Sequence, residues 1–477
     1  MPETPFSPFV QELTPAPELS SVVAAFGHWP GLVVFDSARR SSRLGRYSFI
    51  CAGPYQQFEQ EQALCGTDPF APLRRVWPRS AEVAVPGLPP FQGGAAGVLG
   101  YELGQAFEQL PSPRHDELCL PVLSVGLYDW VISWDHEQGR SWLISQGWPE
   151  TDRERRTTRA QQQAECVLQT LIRGGQGTAL LGNSFPPTSR QPLTSASYPA
   201  PGPKGLVSNF TREQYLAAVE RVIEYIRAGD IFQANLAQRL MFPCDADPIP
   251  LYLRLRRENP APFAGLYRGT DWSILSASPE RFLQLAGDQA ETRPIKGTRR
   301  RKPHPEADLF VGDELRESQK DRAENLMIVD LLRNDLSRVC RPGTLRVPQL
   351  CEVETYETVQ HLVSVIQGQL RPEQTIWDLL AATFPGGSIT GAPKVRAMEI
   401  ISEIEQVARG PYCGSLFYAG FHGHCDSNLL IRTFVQRGGW VQCSVGGGIT
   451  IQSQPAAEYD ETLAKAAGML RVWEGLP

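Results

Sequence analysis

Lys296 stands in Arg293-Pro294-Ile295-Lys296-Gly297-Thr298-Arg299, a lone amine between an apolar residue and a glycine. An amine that loses hydration gives up its proton more readily, and the freed lone pair can attack carbon. The same heptapeptide also suits an exposed lysine beside the basic cluster Arg299-Arg300-Arg301-Lys302, so the rest of the chain must decide. Glu280, in Ser276-Ala277-Ser278-Pro279-Glu280-Arg281-Phe282, is a carboxyl that burial would keep protonated and able to act as an acid, unless it pairs with Arg281. His361, in Gln360-His361-Leu362-Val363-Ser364, has strand-like surroundings that equally suit a structural histidine.

A second group of residues favours anions. Glu458, Glu461 and Lys465 recur at i, i+3 and i+7, which sets two carboxylates and an amine on one helix face. The helix beginning at Asp321 carries Glu324 near Ile328 and Leu331. Carboxylates on two helices either form surface salt bridges or converge on Mg²⁺, which takes a few carboxylates, waters and oxygens of an anionic substrate. In Ser444-Val445-Gly446-Gly447-Gly448-Ile449-Thr450 the adjacent glycines predict a turn after a strand, open enough for backbone N–H groups to approach an anion. The run lacks P-loop or dinucleotide spacing. Phe384 to Lys394 offers hydroxyls just before a helix N-terminus, another place that favours anions. Arg432 falls in a predicted strand, where its charge requires a carboxylate or an anionic guest. His422 and His424 flank Gly423 and read as a turn rather than a metal pair.

The elements that must position these groups follow from periodicity. Ser184 to Lys204, rich in Pro, Ser and Thr, predicts a linker or long loop dividing the chain into residues 1–183 and 205–477. Before it, Gly31 to Asp36, Arg46 to Cys51 and Pro121 to Trp134 read as strands. After it, Thr211 and Gln214 form a capping box for a helix whose Leu216, Val219, Ile223 and Ile226 recur until Gly229. Helical patterns also cover Asp321 to Val339, Pro393 to Ile404 and Glu458 to Val472, with strand-like runs at Leu429 to Val435 and Trp440 to Val445. There is no internal repeat, and the interleaving lacks clean βαβ units, so a layered α+β fold is expected.

Composition narrows the function. Hydrophobic residues make up 42% of the 477 and charged residues 21%, with a formal net charge of -6, which excludes disorder and argues against a nucleic-acid surface. The first fifteen residues do not have the basic start and apolar stretch of a signal peptide, and no apolar run is long enough to span a bilayer, so no membrane role is expected. Ten cysteines without CxxC spacing indicate neither a zinc site nor a disulfide framework and fit a reducing cytoplasm.

Taken in order, Pro294-Ile295-Lys296-Gly297-Thr298, Met327-Ile328-Val329-Asp330-Leu331-Leu332-Arg333-Asn334-Asp335-Leu336, Phe384 to Lys394 and Gly446 to Gly448 resemble the chorismate-utilising enzymes. The likeness extends upstream to Leu44-Gly45-Arg46-Tyr47-Ser48-Phe49-Ile50, Phe91-Gln92-Gly93-Gly94 and Asn259-Pro260-Ala261-Pro262-Phe263, and so covers nearly the whole chain. It implies a large sandwich of two β-sheets flanked by helices. Lysine in the PIKGT motif is similar to the aminodeoxychorismate synthase branch, whereas the anthranilate synthase branch, which aminates chorismate and eliminates pyruvate, usually has alanine there. Gln233 stands where the isochorismate and salicylate synthases place a lysine base. A catalytically silent chorismate-binding subunit would lack Lys296, Glu280 or a metal carboxylate, and all are present.

The resemblance implies amination of chorismate by ammonia to 4-amino-4-deoxychorismate, on the route to 4-aminobenzoate and folate. Lys296 would add at ring C2 while Glu280 protonates the departing C4 hydroxyl, and Mg²⁺ would be held by Glu324 and Glu461 with Glu458 nearby. Arg432, Tyr418, Gly446, Gly447 and Lys465 match positions that hold chorismate carboxylates, and Ser388 and His361 match positions near the ring. Asp36, Ser37, Arg46, Tyr47, Ser48 and Phe49 fall where relatives bind tryptophan. Cys51 and Phe417 stand where the family often has glycine, and neither replaces a charged ligand. No glutaminase motif is present, since Cys413-Gly414 reads as a strand segment, so a separate glutamine amidotransferase subunit is implied as the ammonia donor. Aromatisation to 4-aminobenzoate would need another enzyme.

Overall fold

Antiparallel strands carry most of the buried apolar residues, in two sheets of thirteen and ten strands among the described residues. The computed structural model describes residues 6–40, 44–78, 83–175, 190, 192–356 and 359–473. In the larger sheet Val33–Asp36 pairs with Phe263–Arg268, followed by Trp272–Ser278, Thr433–Arg437, Trp440–Ile449 and Gln233–Pro243. In the smaller one Ile295–Arg300 and Val359–Gln369 lie at one end, and Gly94–Leu99 pairs with Ser415–Gly420. Each sheet therefore draws strands from both sides of residues 184–204, and that division in sequence is not a division between sheets. Within it, residues 184–189 and 191 lie outside the described residues, and Tyr198–Pro199 pairs with Val207–Ser208 at the edge of the larger sheet.

The run Pro121 to Trp134 forms two strands rather than one. Leu123–Tyr128 belongs to the smaller sheet, Trp130–Asp135 to the larger, and the chain changes sheets at buried Asp129. Every residue of both strands is buried, so no period-2 alternation marked the break. Helix signals translated more directly. Thr211 Oγ1 accepts from Gln214 N at 3.2 Å and Gln214 Oε1 from Thr211 N at 2.9 Å, capping Arg212–Ala228, which ends at Gly229 with φ 84°. Its Tyr215, Val219, Val222 and Ile223 pack on Ala234, Leu236, Ile400 and Ile449, pinning the ends of the two strands that will carry the site.

On the helix-covered face of the smaller sheet, Phe282, Leu283 and Phe417 pack with Ile328, Leu332 and Phe384 in one continuous core. Helix Gln319–Ser337 buries Ile328, Val329, Leu332 and Leu336 there, which fixes which way Glu324 projects. All ten cysteines are unpaired. Among the described residues no helix is long and apolar enough to cross a membrane.

Candidate active site

Ile295–Arg300 pairs with Val359–Gln369 so that Lys296 lies opposite Leu362, and the ladder then shifts to resume at Thr298 and His361. Gly297, inside that shift, has φ +70°, and a Cβ there would lie 2.8 Å from Leu315 Cδ1 and 2.9 Å from Asp321 Cγ, so glycine is required. Lys296 Nζ donates to the Ser388 carbonyl at 3.1 Å. The hydroxyl of the same Ser388 donates to Glu280 Oε1 at 3.0 Å, which sets the amine and the acid on two atoms of one residue. Ser388 holds this place because Gly387–Ile389 is a single 3-10 turn.

Burial governs both groups. Lys296 retains some solvent access, yet the crowding protein lowers its pKa against the opposing pull of Glu280, Glu324 and Glu461. Glu280 is 7% exposed, and burial raises its pKa against Lys296, the Ser388 hydroxyl and the Ile295 N–H. The pair is thus biased toward a neutral amine beside a protonated acid.

Gly446 to Gly448 do not form a loop. They extend the strand Trp440–Ile449 and pair with Ala237, Leu236 and Asn235. A Cβ on Gly446 would lie 2.4 Å from the Leu236 carbonyl oxygen, so the close strand approach selects glycine. The opposite neighbour, Thr433–Arg437, pairs only as far as Cys443, which leaves the outer edge of the glycine stretch without a partner strand among the described residues. Helix Pro455–Leu470 packs beside it. A Cβ on Gly447 would meet Glu458 Oε2 at 3.4 Å, Lys465 Nζ at 3.7 Å and Glu461 Oε1 at 3.9 Å. Lys465 Nζ donates to the Gly446 carbonyl at 2.8 Å and pairs with Glu461 at 2.8 Å.

The three carboxylates differ. Burial raises Glu324 and Glu458, and each also feels a neighbouring carboxylate: Glu458 acts on Glu324, and Glu461 on Glu458. Burial pushes Glu461 up too, but Lys465, Lys320 and Lys296 outweigh it and hold the carboxylate form. Among the described residues no three His, Cys, Asp or Glu converge as a ready metal cage. Mutually repelling carboxylates facing a glycine strand still fit Mg²⁺, which keeps several waters and shares its oxygens with a substrate.

Arg432 precedes its strand rather than lying in it, with φ 50°, and no carboxylate among the described residues pairs with it. Its neighbours are cationic, since burial and Arg39 lower its pKa. His361 Nδ1 meets Thr298 Oγ1 at 2.9 Å, and burial, Arg432 and Arg39 push its pKa down to about 4. A neutral imidazole beside two guanidiniums is a surface for an anion. Gln233, 1% exposed, begins Gln233–Pro243, with its side chain over Gly448.

Tyr418 is not part of this constellation. It stacks on Phe91 at 4.6 Å and meets Phe35 and Phe49 at 5.3 Å each. With Asp36, Ser37, Arg46, Tyr47 and Phe49 it lines a separate cavity of about 350 Å³. Alternation along Ser415–Gly420 turns Tyr418 toward that aromatic cluster, between the two sheets, while Phe417 enters the core between the smaller sheet and its helices. Ser48 is buried behind the wall, where its hydroxyl accepts from Ser37 N at 3.0 Å. Asp36 is committed to Arg256 at 2.6 Å and Tyr252 at 3.0 Å. His422 and His424 lie in a turn, as expected.

Two supports escaped the sequence reading. Asn325, fully buried next to Glu324, donates to the Leu362 carbonyl at 3.4 Å and accepts from Ser364 Oγ, tying the Glu324 helix to the residue opposite Lys296. Arg409 pairs with Glu405 at 2.6 Å and donates to the Ile389 carbonyl at 3.1 Å, bracing the Ser388 turn. Only the i, i+4 spacing hinted at the second, and Arg409 lies past the end of Lys394–Glu405.

Comparison with known proteins identifies the family. Residues 33–471 match the family model for chorismate binding enzymes. Aminodeoxychorismate synthase component 1 of Escherichia coli (strain K12) is 43% identical over 385 residues, 81% of this chain and 78% of that one. Anthranilate synthase component 1 of Streptomyces coelicolor is 38% identical over 439 residues, 92% and 82% of the two chains. The crystal structure of anthranilate synthase component I from Streptococcus pneumoniae superposes with TM-score 0.75 at 28% identity, covering 89% of this chain and 92% of that one. MenF, the menaquinone-specific isochorismate synthase of Escherichia coli, shares the fold at TM-score 0.69 and 19% identity, covering 98% and 96%. With the family match running through every strand and helix that carries the site, the chain belongs to the chorismate binding enzymes.

Proposed function

We propose that the chain aminates chorismate with ammonia to 4-amino-4-deoxychorismate through a covalent adduct on Lys296. The observation that carries this reading is the Lys296–Ser388–Glu280 arrangement, an amine biased toward its neutral form beside an acid biased toward its protonated form. Lys296 Nζ bonds to ring C2, the two ring double bonds shift, and the C4–O bond breaks as Glu280 gives its proton to the leaving hydroxyl. Ammonia then bonds to C4, the double bonds shift back, and the C2–N bond breaks to return the lysine. Arg432, beside the neutral His361 ring, offers a cation to one carboxylate, and Lys465 and the open edge of the glycine strand are suited to the other.

Glu324, Glu458 and Glu461 would hold Mg²⁺, which when bound supplies positive charge to the ring carboxylate. The relatives named component 1 support a two-component enzyme, and we take the ammonia donor to be a separate glutamine amidotransferase subunit. The unpaired cysteines suit a reducing cytoplasm. The cavity around Tyr418, with Phe35, Phe49 and Tyr47 in its wall, suits an aromatic amino acid such as tryptophan, which titration calorimetry would test.

The deciding experiment incubates the purified chain with chorismate, Mg²⁺ and an ammonium salt and identifies the product by mass. Aminodeoxychorismate is expected. Anthranilate would instead place the chain with its other relatives, and the absence of an amino product would sink the proposal.

A further inference from the structure

A buried ion pair adds little stability over apolar side chains of the same volume, but it fixes position, because a charge removed from water tolerates little displacement from its partner. Asp335 is 1% exposed and pairs with Lys394 at 2.6 Å. The same Lys394 Nζ donates to the Thr383 carbonyl at 3.1 Å. Thr383 ends the helix Ile376–Thr383 and Lys394 begins Lys394–Glu405, so one ammonium joins two residues 11 positions apart and closes the base of the segment between them. That segment carries Ser388.

Asp335 lies on Gln319–Ser337, the helix that also carries Glu324. Glu324, Leu331 and Asp335 follow at i, i+7 and i+11, which sets them along one helix face. Leu331 makes the middle contact: a Cβ on Gly387 would lie 2.7 Å from Leu331 Cδ2, so the turn Gly387–Ile389 rests directly on the helix. Past the turn, Gly391–Ala392 pairs with Gln233 and Ala234, and Arg409 holds the Ile389 carbonyl, which fixes the other side of the segment.

We propose that Asp335 and Lys394 are positioning residues: they lock the segment bearing Ser388 onto the helix bearing Glu324, and so keep the Ser388 carbonyl and hydroxyl aimed at Lys296 and Glu280. The inference rests on the amination reading above. The hydrogen bonds of the pair go to each other and to Thr383, so the pair acts on the amine and the acid through Ser388. Ser388 meets those two groups through single contacts of 3.1 and 3.0 Å. An outward shift of about 0.5 Å would take both to the limit of hydrogen bonding or past it. Misplacement by about 1 Å can cost a reaction on the order of a hundredfold.

The test uses the full chain with Mg²⁺, chorismate and ammonium chloride, comparing wild type, Ser388→Ala, the paired variant Asp335→Leu with Lys394→Met, and all three substitutions together. Removing both charges at once leaves neither buried alone, which favours a retained fold, and melting curves check it. We expect kcat of the paired variant to fall at least tenfold with KM for chorismate within threefold. The triple variant should lose less than the product of the two separate losses, because both changes act on the same contacts. Should the paired variant not fold, Lys394→Gln takes its place in the same four-way comparison. Losses that simply multiply would make the ion pair act apart from Ser388, and a rise in KM as large as the fall in kcat would make its role structural; either result overturns the proposal. A paired variant with wild-type kcat overturns this role alone, whereas a wild-type chain that yields no amino product overturns the amination reading with it, so the two failures are distinguishable.

Discussion

Ser388 touches Lys296 and Glu280 with different atoms, its carbonyl accepting from the amine at 3.1 Å and its hydroxyl donating to the acid at 3.0 Å. The hydroxyl favours the ionised form of Glu280 and so opposes the upward push of burial. Ser388→Ala removes that opposition and raises the pKa of Glu280 further. The high-pH limb of kcat, where the acid must still be protonated, should therefore move to higher pH, with the carbonyl contact to Lys296 retained. A limb that stays put or moves down would separate Ser388 from Glu280.

Lys296→Ala removes the nucleophile and leaves charge and positioning in place. Aminodeoxychorismate formation should fall on the order of a thousandfold or more, as when a covalent nucleophile is deleted elsewhere. Wild type given chorismate without ammonia should accumulate an adduct that peptide mapping places at Lys296. Wild-type rates to the same product in the variant, with no adduct in the parent, would exclude covalent catalysis here.

Glu461 is the carboxylate held ionised by its lysine neighbours, so it should contribute most to attracting Mg²⁺. Glu461→Gln should abolish Mg²⁺-dependent turnover while the circular dichroism spectrum is unchanged. A Mg²⁺ activation curve like that of wild type would remove Glu461 from the metal site.

His361 has a folded pKa of about 4 against an ordinary value of 6.5. Between those values the unfolded chain binds the extra proton, so stability rises with pH across that window and is lost on acidification. The effect is at most about 3 kcal/mol, and solvent access at the site reduces it. His361→Gln should therefore flatten the fall in denaturation midpoint between pH 6.5 and 4. An equal fall in the variant would assign the acid sensitivity to other groups.

Neighbouring glycines should respond differently to alanine. In Gly446→Ala the new methyl would stand 2.4 Å from the Leu236 carbonyl oxygen, a backbone clash expected to cost roughly 2 kcal/mol or more. In Gly447→Ala it would meet only side chains at 3.4 to 3.9 Å, an ordinary contact. The first should lower Tm markedly and the second hardly at all, while raising KM for chorismate by crowding Lys465 and Glu461. Equal Tm losses would contradict the strand geometry.

How much of this was legible in the sequence depended on the range of the interaction. The capping box of Thr211 and Gln214, the helical face of Glu458, Glu461 and Lys465, and the turn at His422 to His424 are set by residues within a few positions of one another, and local spacing revealed them. The ordered motifs around Lys296 and Phe384 to Lys394 carried the family and hence the two-sheet fold, because residues constrained by one chemistry recur in one order. Tertiary structure decided the rest. Gly446 to Gly448 read as a turn until Gln233–Pro243 was seen packed too closely for a side chain. Tyr418 was assigned to the substrate, but the sheet's alternation turns it into another cavity. Lys296 and Ser388 are 92 residues apart, and only tertiary packing across that distance places an amine, a hydroxyl and an acid within reach of one another, since desolvation and hydrogen bonding depend on neighbours in space rather than on position along the chain.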